Sequence, residues 1–312
     1  MIVHLPETAL LIFERLSQAG IKAYVAGGAV RDALNHVPYK DIDILALSDF
    51  AQIQSLFLDQ KVKVAGAAFP VCLVNEIEVS VPRQITGSDP IDSDCLISDL
   101  ACRDFTVNAM VWDPDTGEVI DPFNGKRDLE DRVIRFTGNP EDRITEDPVR
   151  MVRACRFAAG LNGTIESESL AAIARHKNRL ISQAAKERLR MEIIKAMAMD
   201  RPSRFFFLMQ TTGLLEMVFP SLSRCYDLDG GPFHGETVFE HCMLVGDGLP
   251  ARQPMLRLAG FLHDTGKFDA AEVNDGQLTF RGHETCIEAV SHDLELLRFS
   301  NRDSAYILCL IR

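Results

Sequence analysis

Gly27-Gly28-Ala29-Val30-Arg31-Asp32, followed shortly by Asp41-Ile42-Asp43-Ile44-Leu45, is the stretch on which the reading of this chain turns. The second segment reads as a strand, and on a strand residues i and i+2 point to one face. Asp41 and Asp43 would then stand side by side and repel unless a cation sits between them. Mg²⁺ suits such a hard-oxygen site and keeps coordination positions for phosphate oxygens. An isolated pair of this kind is more often a solvated strand edge. The glycine pair reverses that weighting.

Backbone N–H groups can approach a phosphate closely only where no Cβ intervenes, and a helix opening at Ala29 adds its positive N-terminus. Arg31 supplies a cation beside it. A strand over residues 24 to 26, a Gly27-Gly28 turn, a short helix and a carboxylate strand together make a compact unit for holding a triphosphate over metal ions.

Two further segments carry related chemistry: Arg103-Asp104-Phe105-Thr106-Val107-Asn108-Ala109-Met110, and Glu146-Asp147-Pro148-Val149-Arg150-Met151-Val152-Arg153-Ala154-Cys155-Arg156-Phe157. With Asp121-Pro122-Phe123-Asn124-Gly125 and Glu187-Arg188, they give the chain from Tyr24 to Lys195 a close resemblance to the bacterial, class II tRNA nucleotidyltransferase and poly(A) polymerase family of the polymerase β superfamily. The motifs occur in the family's order.

The resemblance implies roles. Asp41 and Asp43 would hold two Mg²⁺ ions, one activating the RNA 3′-hydroxyl and the other neutralising the triphosphate as pyrophosphate leaves in line. Glu78, on the polar face of the alternating run Ile77-Glu78-Val79-Ser80-Val81, is a third candidate carboxylate, or else an ordinary exposed strand residue. Gly27, Gly28, Arg31, Arg103, Asp104 and Asn108 would bind the nucleotide, Arg103 on phosphate and Asp104 on the ribose hydroxyls. The family usually has two consecutive arginines here, and this chain has Cys102 in the first place.

Asp147 and Arg150 match the residues that select the base in that family, and Arg153 and Arg156 of the same motif are further nucleotide-binding candidates. Cytosine and adenine each present an amino donor beside a ring-nitrogen acceptor, so a carboxylate plus a guanidinium complements either, whereas guanine and uracil present the reversed pattern. Asp147 before Pro148 also reads as a helix N-cap with proline at the first helical position.

The composition, 312 residues with 46% hydrophobic and 25% charged content, suits two or three ordinary cores. No apolar run is long enough to span a bilayer, and the opening Met1-Ile2-Val3-His4-Leu5-Pro6-Glu7, lacking a basic region, leads into an amphipathic helix through Leu16 rather than a signal peptide. The eight cysteines show no CxxC spacing, which argues for reduced thiols and a cytoplasmic enzyme. Cys242 and Cys286 lie near histidines without forming a recognised cluster.

A net charge of −12 is the wrong sign for a nucleic-acid partner, yet between Pro148 and Arg204 twelve basic residues meet five acidic ones. Directly behind a nucleotidyl site, that helical run is a credible track for an RNA acceptor end.

The expected fold is α+β: a polymerase β-like nucleotidyltransferase head with a mixed sheet over residues 1–140, a helical neck and body over 141–222, and a helical HD-like unit over 237–312. Gly230-Gly231-Pro232 marks the linker or turn before the last. Gln84 to Asp99, with Gly87, Pro90, Asp89, Asp92, Asp94 and Asp99, has the composition of a loop. Its counterpart in the family is a flexible loop beside the active site, longer in CCA-adding members, which keeps a CC-adding or A-adding specialist in play. Phe69-Pro70-Val71-Cys72-Leu73 resembles the CCA-adding branch more than poly(A) polymerases.

His241, His263-Asp264-Thr265-Gly266-Lys267 and His283-Glu284 resemble the HD domain of metal-dependent phosphohydrolases, so His241, His263, Asp264 and His283 are candidate ligands of a second, transition-metal ion. The family's final metal-ligand Asp lies well downstream, and here a helix over Ser304 to Ile311 runs to Arg312, with Asp303 a poor substitute. Either the chain is a fragment or the HD unit is structural. The sequence is thus read as a tRNA nucleotidyltransferase adding C, A or both to the tRNA 3′ end from CTP and ATP, with a CC-adding or A-adding specialist among the alternatives. Poly(A) polymerase is another, and an HD phosphohydrolase with a degenerate head ranks below these.

Overall fold

The computed structural model describes residues 3–39, 41–58, 60, 62–65, 71–83, 93–232 and 235–312. It forms two compact units, Met1–Asn139 and Pro140–Arg312. In the first, α1 (Glu7–Gln18) precedes β1 (Ala23–Ala26), α2 (Gly28–Leu34), β2 (Asp43–Ala46) and α3 (Phe50–Leu56). Then come β3 (Val62–Ala65), β4 (Val71–Val74), β5 (Ile77–Ser80) and α4 (Ser93–Ala101), followed by β6 (Val111–Trp112), β7 (Val119–Ile120) and α5 (Gly125–Glu130).

The seven strands make one mixed sheet in the order β3-β4-β5-β2-β1-β6-β7, with β2 and β5 parallel and the other pairs antiparallel. Alternation along the strands sends Val25, Ile44, Cys72 and Val79 to one face, where Ile12, Leu16, Val30 and Ile53 cover them. Tyr24, Ala26, Leu45 and Val111 face the other way and meet Leu96 and Leu100 of α4.

That helix corrects the expectation of a loop from Gln84 to Asp99. Residues 84–92, with Gly87, Asp89, Pro90 and Asp92, lie outside the described residues, as do Phe69 and Pro70, but Ser93–Ala101 is α-helical. Leu96 and Leu100, one turn apart, bury a stripe against the sheet. Packing outweighs the loop-like aspartates and serine, since burial of two leucines contributes on the order of 3 kcal/mol or more.

The second unit holds α6 (Pro140–Glu146), α7 (Val149–Gly160), α8 (Ser167–His176), α9 (Arg179–Gln183), α10 (Lys186–Met197), α11 (Ser203–Thr212), α12 (Leu215–Val218) and α13 (Pro220–Ser223). α14 (Val238–Gly248), α15 (Pro254–Leu262), α16 (Glu288–Leu296) and α17 (Asn301–Ile311) complete it, with a short hairpin of Glu272–Asn274 and Gln277–Thr279. Phe206 on α11 meets Phe219 and, at 4.6 Å between ring centroids, Phe261 on α15. Arg257, 3% exposed, donates to the carbonyls of Met197, Met199, Asp200, Gly246 and Asp247, closing the C-terminal ends of α10 and α14. No helix among the described residues is long and apolar enough to cross a membrane.

Candidate active site

Strand register assembles the first cluster. Leu73, Glu78, Asp43 and Ala26 are successive partners across β4, β5, β2 and β1, so the Asp43 and Glu78 side chains share the α4 face of the sheet. Asp41 lies two residues before Asp43 but outside the strand, and it is exposed, whereas Asp43 and Glu78 are half-buried. The carboxylate pair therefore spans a strand start, with one member in water. Burial pushes the Asp43 carboxyl up, against the pull of Arg103 and with the help of Asp41. Burial likewise raises Glu78, reinforced by Asp43 and opposed by Arg103 and Arg83.

The glycine turn closes the other side of Asp43. Gly27 has φ +63°, in the left-handed region, and a Cβ there would stand 3.0 Å from Arg103 Nη1. Glycine is thus required both by the backbone and by the guanidinium laid against it. The helix begins at Gly28 rather than Ala29. Arg31 donates to Asn108 Oδ1 at 2.6 Å and to Asp32 at 2.8 Å, and Asn108 Nδ2 donates to Asp104 Oδ1 at 2.9 Å. Arg31, Asn108 and Asp104 form one chain of hydrogen bonds, with Arg103 beside it donating to the Asn108 carbonyl at 3.4 Å.

The Asp121-to-Gly125 motif holds this arrangement in place. Asp121 accepts from the Gly125 and Lys126 amides at 2.7 and 2.9 Å, capping α5. A Cβ on Gly125 would stand 2.2 Å from the Thr106 carbonyl, so only glycine lets α5 press against the Thr106–Asn108 turn.

Asp99 is a residue that sequence reasoning passed over. It is 2% exposed, accepts from Arg103 Nη2 at 3.2 Å and from the Arg83 amide at 3.3 Å, and orients the Arg103 fork. Its signal was the i,i+4 spacing to Arg103, visible only once α4 is recognised as a helix.

In the second unit, Asp147 Oδ1 accepts from the Val149 amide at 3.2 Å and Oδ2 from Arg188 at 2.6 Å. It caps the helix while carrying an ion pair, with Pro148 at the cap position and Val149 as the first helical residue. Arg150 donates to Glu146 at 2.7 Å and to the Arg143 carbonyl at 3.2 Å. Arg153 and Arg156 turn to Glu192, at 3.1 and 2.5 Å. Burial works against the ionised Glu192, but these two cations outweigh it and hold its carboxyl below the usual range. Glu192 is the second residue missed: nothing in its sequence position distinguishes a buried clamp from a solvated helix charge.

The third cluster joins distant segments. His241 Nε2 and His263 Nε2 lie 3.6 and 3.4 Å from Asp264 Oδ2, and His283 Nε2 lies 3.2 Å from Oδ1. One ligand atom each from His241, His263 and Asp264 falls within 4.8 Å of the others. The Nδ1 of His263 faces the Gly260 carbonyl at 2.9 Å and that of His283 the Phe280 carbonyl at 3.0 Å, contacts that aim Nε2 inward. Lys267, 8% exposed, donates to Asp264 Oδ2 at 2.7 Å. Burial disfavours the charged Asp264, but His263, Lys267 and His283 prevail and hold its carboxyl low, while burial lowers His263. Cys242 is buried, and desolvation pushes its thiol well above the ordinary range. All eight cysteines are free thiols.

A mixed sheet that presents Asp43 and Glu78 beside a glycine turn and the Arg103 guanidinium, with Asp41 just before the strand, is the head of a polymerase β-like nucleotidyltransferase fold. Residues 23–135 match the poly(A) polymerase head domain, and residues 163–225 match the probable RNA- and SrmB-binding site of polymerase A. The chain is 34% identical over 225 residues to a CCA-adding enzyme of Levilactobacillus brevis, covering 68% of this chain and 56% of that protein. It is 35% identical over 269 residues to a multifunctional CCA protein of Xanthomonas oryzae pv. oryzae, covering 79% and 64%. A crystal structure of the Bacillus stearothermophilus CCA-adding enzyme in complex with CTP superposes with a TM-score of 0.67 at 25% identity, over 98% of this chain and 69% of that one. The chain belongs to the class II tRNA nucleotidyltransferase and poly(A) polymerase family. It spans between about half and two thirds of the length of these two curated relatives.

Proposed function

We propose that this protein adds C and A residues to the 3′ end of tRNA, joining CMP and AMP units from CTP and ATP and releasing pyrophosphate. The observation that carries the reading is the register that sets Glu78 against Asp43 beside Gly27 and Arg103, in a chain of this family. The donor set fits Mg²⁺, because its atoms are hard carboxylate oxygens and burial, helped by neighbouring carboxylates, raises both Asp43 and Glu78, a penalty that a bound cation would offset. Asp41, Asp43 and Glu78 would hold the metal, which when bound activates the acceptor hydroxyl and screens the triphosphate. Arg103 and Arg31 would bind the phosphates, Gly27 and Gly28 would let the backbone approach them, and Asp104 would accept from the ribose, steadied by Asn108.

Asp147 and Arg150 would select the base. Each Asp147 oxygen has a further lone pair for an amino donor, and Arg188, Glu146 and the Val149 amide fix the two side chains without rotation. Arg153 and Arg156 would act through Glu192, holding the base-selecting helix rigid. The head domain of the matched family is named for poly(A) polymerase, which favours poly(A) addition as the second reading. Incorporation of each NTP on a tRNA lacking its CCA end and on unstructured RNA decides: C and A on tRNA alone supports the first, A on both supports the second, and C only or A only points to a specialist.

The cluster of His241, His263, Asp264 and His283 would take a divalent transition metal through imidazole nitrogens and one carboxylate. Lys267 already neutralises the shared Asp264 oxygen, so the ion would compete with a built-in ammonium and bind weakly. The eight free thiols suit the cytoplasm as the compartment.

A further inference from the structure

Arg83 follows β5, the strand that carries Glu78, and the fold brings it to the same buried carboxylate that orients Arg103. Asp99 divides its oxygens between the two arginines. Its Oδ2 accepts from Arg103 Nη2 at 3.2 Å, while Oδ1 accepts from the Arg83 amide at 3.3 Å and faces Arg83 Nε at 3.8 Å. A second anchor sets the direction of the Arg83 fork, whose Nη1 donates to the Cys102 carbonyl at 3.5 Å, in the residue just before Arg103. One carboxylate and one carbonyl thus gather two guanidinium groups from segments far apart in the chain.

The arginines of this site are held differently. The Arg103 side chain is 15% exposed, lies against the Gly27 turn and is engaged by Asp99 and the Asn108 carbonyl. Arg31, equally sheltered, is engaged by Asp32 and Asn108. The Arg83 side chain is 37% exposed, and its contacts to Asp99 and the Cys102 carbonyl lie at or beyond the long end of the hydrogen-bond range, so turning the fork to an incoming oxyanion forfeits little of them. Its charge reaches the reacting groups, since Arg83 and Arg103 both favour the ionised form of Glu78 against the burial that dominates that carboxyl. Two guanidinium groups on one carboxylate leave an excess of positive charge, and a planar fork matches phosphate oxygens.

We propose that Arg83 is a triphosphate-binding residue, supplying beside Arg103 the second guanidinium that this chain lacks at Cys102. The inference rests on the nucleotidyl-transfer reading and deepens it. The charge arrives from the end of β5 instead of from position 102, and the Cys102 backbone, in place of its side chain, steers it.

The test measures KM for CTP on a tRNA transcript lacking its CCA end and for ATP on one lacking only the terminal A, with inorganic tripolyphosphate as a competing inhibitor under excess Mg²⁺. Arg83→Ala is expected to raise the nucleotide KM and the tripolyphosphate inhibition constant together, about tenfold, the loss of one charge-assisted hydrogen bond. The transcript KM and the ratio of CTP to UTP incorporation should stay within about twofold, because neither the acceptor nor the base is touched. Arg83→Gln, which keeps a hydrogen-bonding side chain without the charge, should act alike and carries the test if Arg83→Ala melts early. Cys102→Arg in either background should restore most of the nucleotide affinity. A role confined to steadying Asp99 predicts instead a lowered melting temperature, unchanged tripolyphosphate inhibition and no rescue by Cys102→Arg, and that result overturns the Arg83 assignment while leaving nucleotide transfer intact. A wild-type protein that incorporates nothing on any RNA overturns the underlying reading, and the inference with it.

Discussion

The candidate-site carboxylates of the two units are in opposite electrostatic condition. In the head, burial raises the carboxyls of Asp43 and Glu78, with Asp41 adding to the first and Asp43 to the second. In the helical unit, Glu192 is clamped by Arg153 and Arg156, Asp147 by Arg188, and Asp264 by Lys267. Glu192 and Asp264 are held below that range. A site whose charge is unbalanced has electrostatic energy to gain from a bound cation. A site balanced by its own side chains has spent that gain on holding its shape.

The sharpest way to break the comparison is at Asp43. Asp43→Ala should lower nucleotide transfer by more than about a hundredfold while leaving the melting temperature unchanged or raised, because a repelling charge has gone. Asp41→Ala should behave alike. Incorporation and melting are measured on the same preparations, and near-normal turnover would remove the metal assignment.

Next in size is Asp147→Ala. Loss of a cap alone costs about 0.5 to 2 kcal/mol and leaves base choice untouched. If Asp147 also reads the base, the ratio of CTP to UTP incorporation should fall sharply with little change in triphosphate affinity.

The built-in cation of the His–Asp cluster gives a third test. Ni²⁺, Mn²⁺ or Zn²⁺ should be substoichiometric after dialysis, Lys267→Met should retain more, and His263→Ala should leave nucleotide transfer unaffected. Full metal retention by the unaltered protein, with robust hydrolysis of a 2′,3′-cyclic phosphate, would contradict the balanced-site picture.

The smallest effect is on stability against pH. Asp293, buried and accepting from the Ser221 amide, has its carboxyl raised to about 6, chiefly by desolvation. The folded state then holds a proton that the unfolded chain releases near its model value of 3.8, so this residue's contribution to stability is present below that value and is lost as pH rises toward 6. Asp293→Asn should flatten that decline in melting temperature, and an unchanged slope would show that Asp293 does not titrate there. Glu192→Gln should do the reverse: its depressed carboxyl contributes stability above the ordinary value that is lost as pH falls through the folded one.

Local patterns carried much of the site into view. Asp41 and Asp43, the glycine pair, the Arg103-to-Met110 segment and the four His–Asp residues are close enough in sequence, or distinctive enough in spacing, to be picked out before any fold is known. The alternation in Ile77-Glu78-Val79 marked Glu78 as pointing to a polar face. It could not say which strand lay beside it, and the parallel pairing with β2 settles that.

What the sequence by itself determined is the set of chemical groups and the mixed α+β order of elements, because period and turn chemistry are local. What only the tertiary structure decided is which charges meet. Asp99 under Arg103, Glu192 between two arginines, Arg188 on Asp147 and Lys267 on Asp264 all depend on packing between elements. Burial changes what a carboxylate does, and burial is a property of the assembled fold: the same side chain is a solvated surface charge, a clamp or a metal ligand according to what the rest of the chain brings against it.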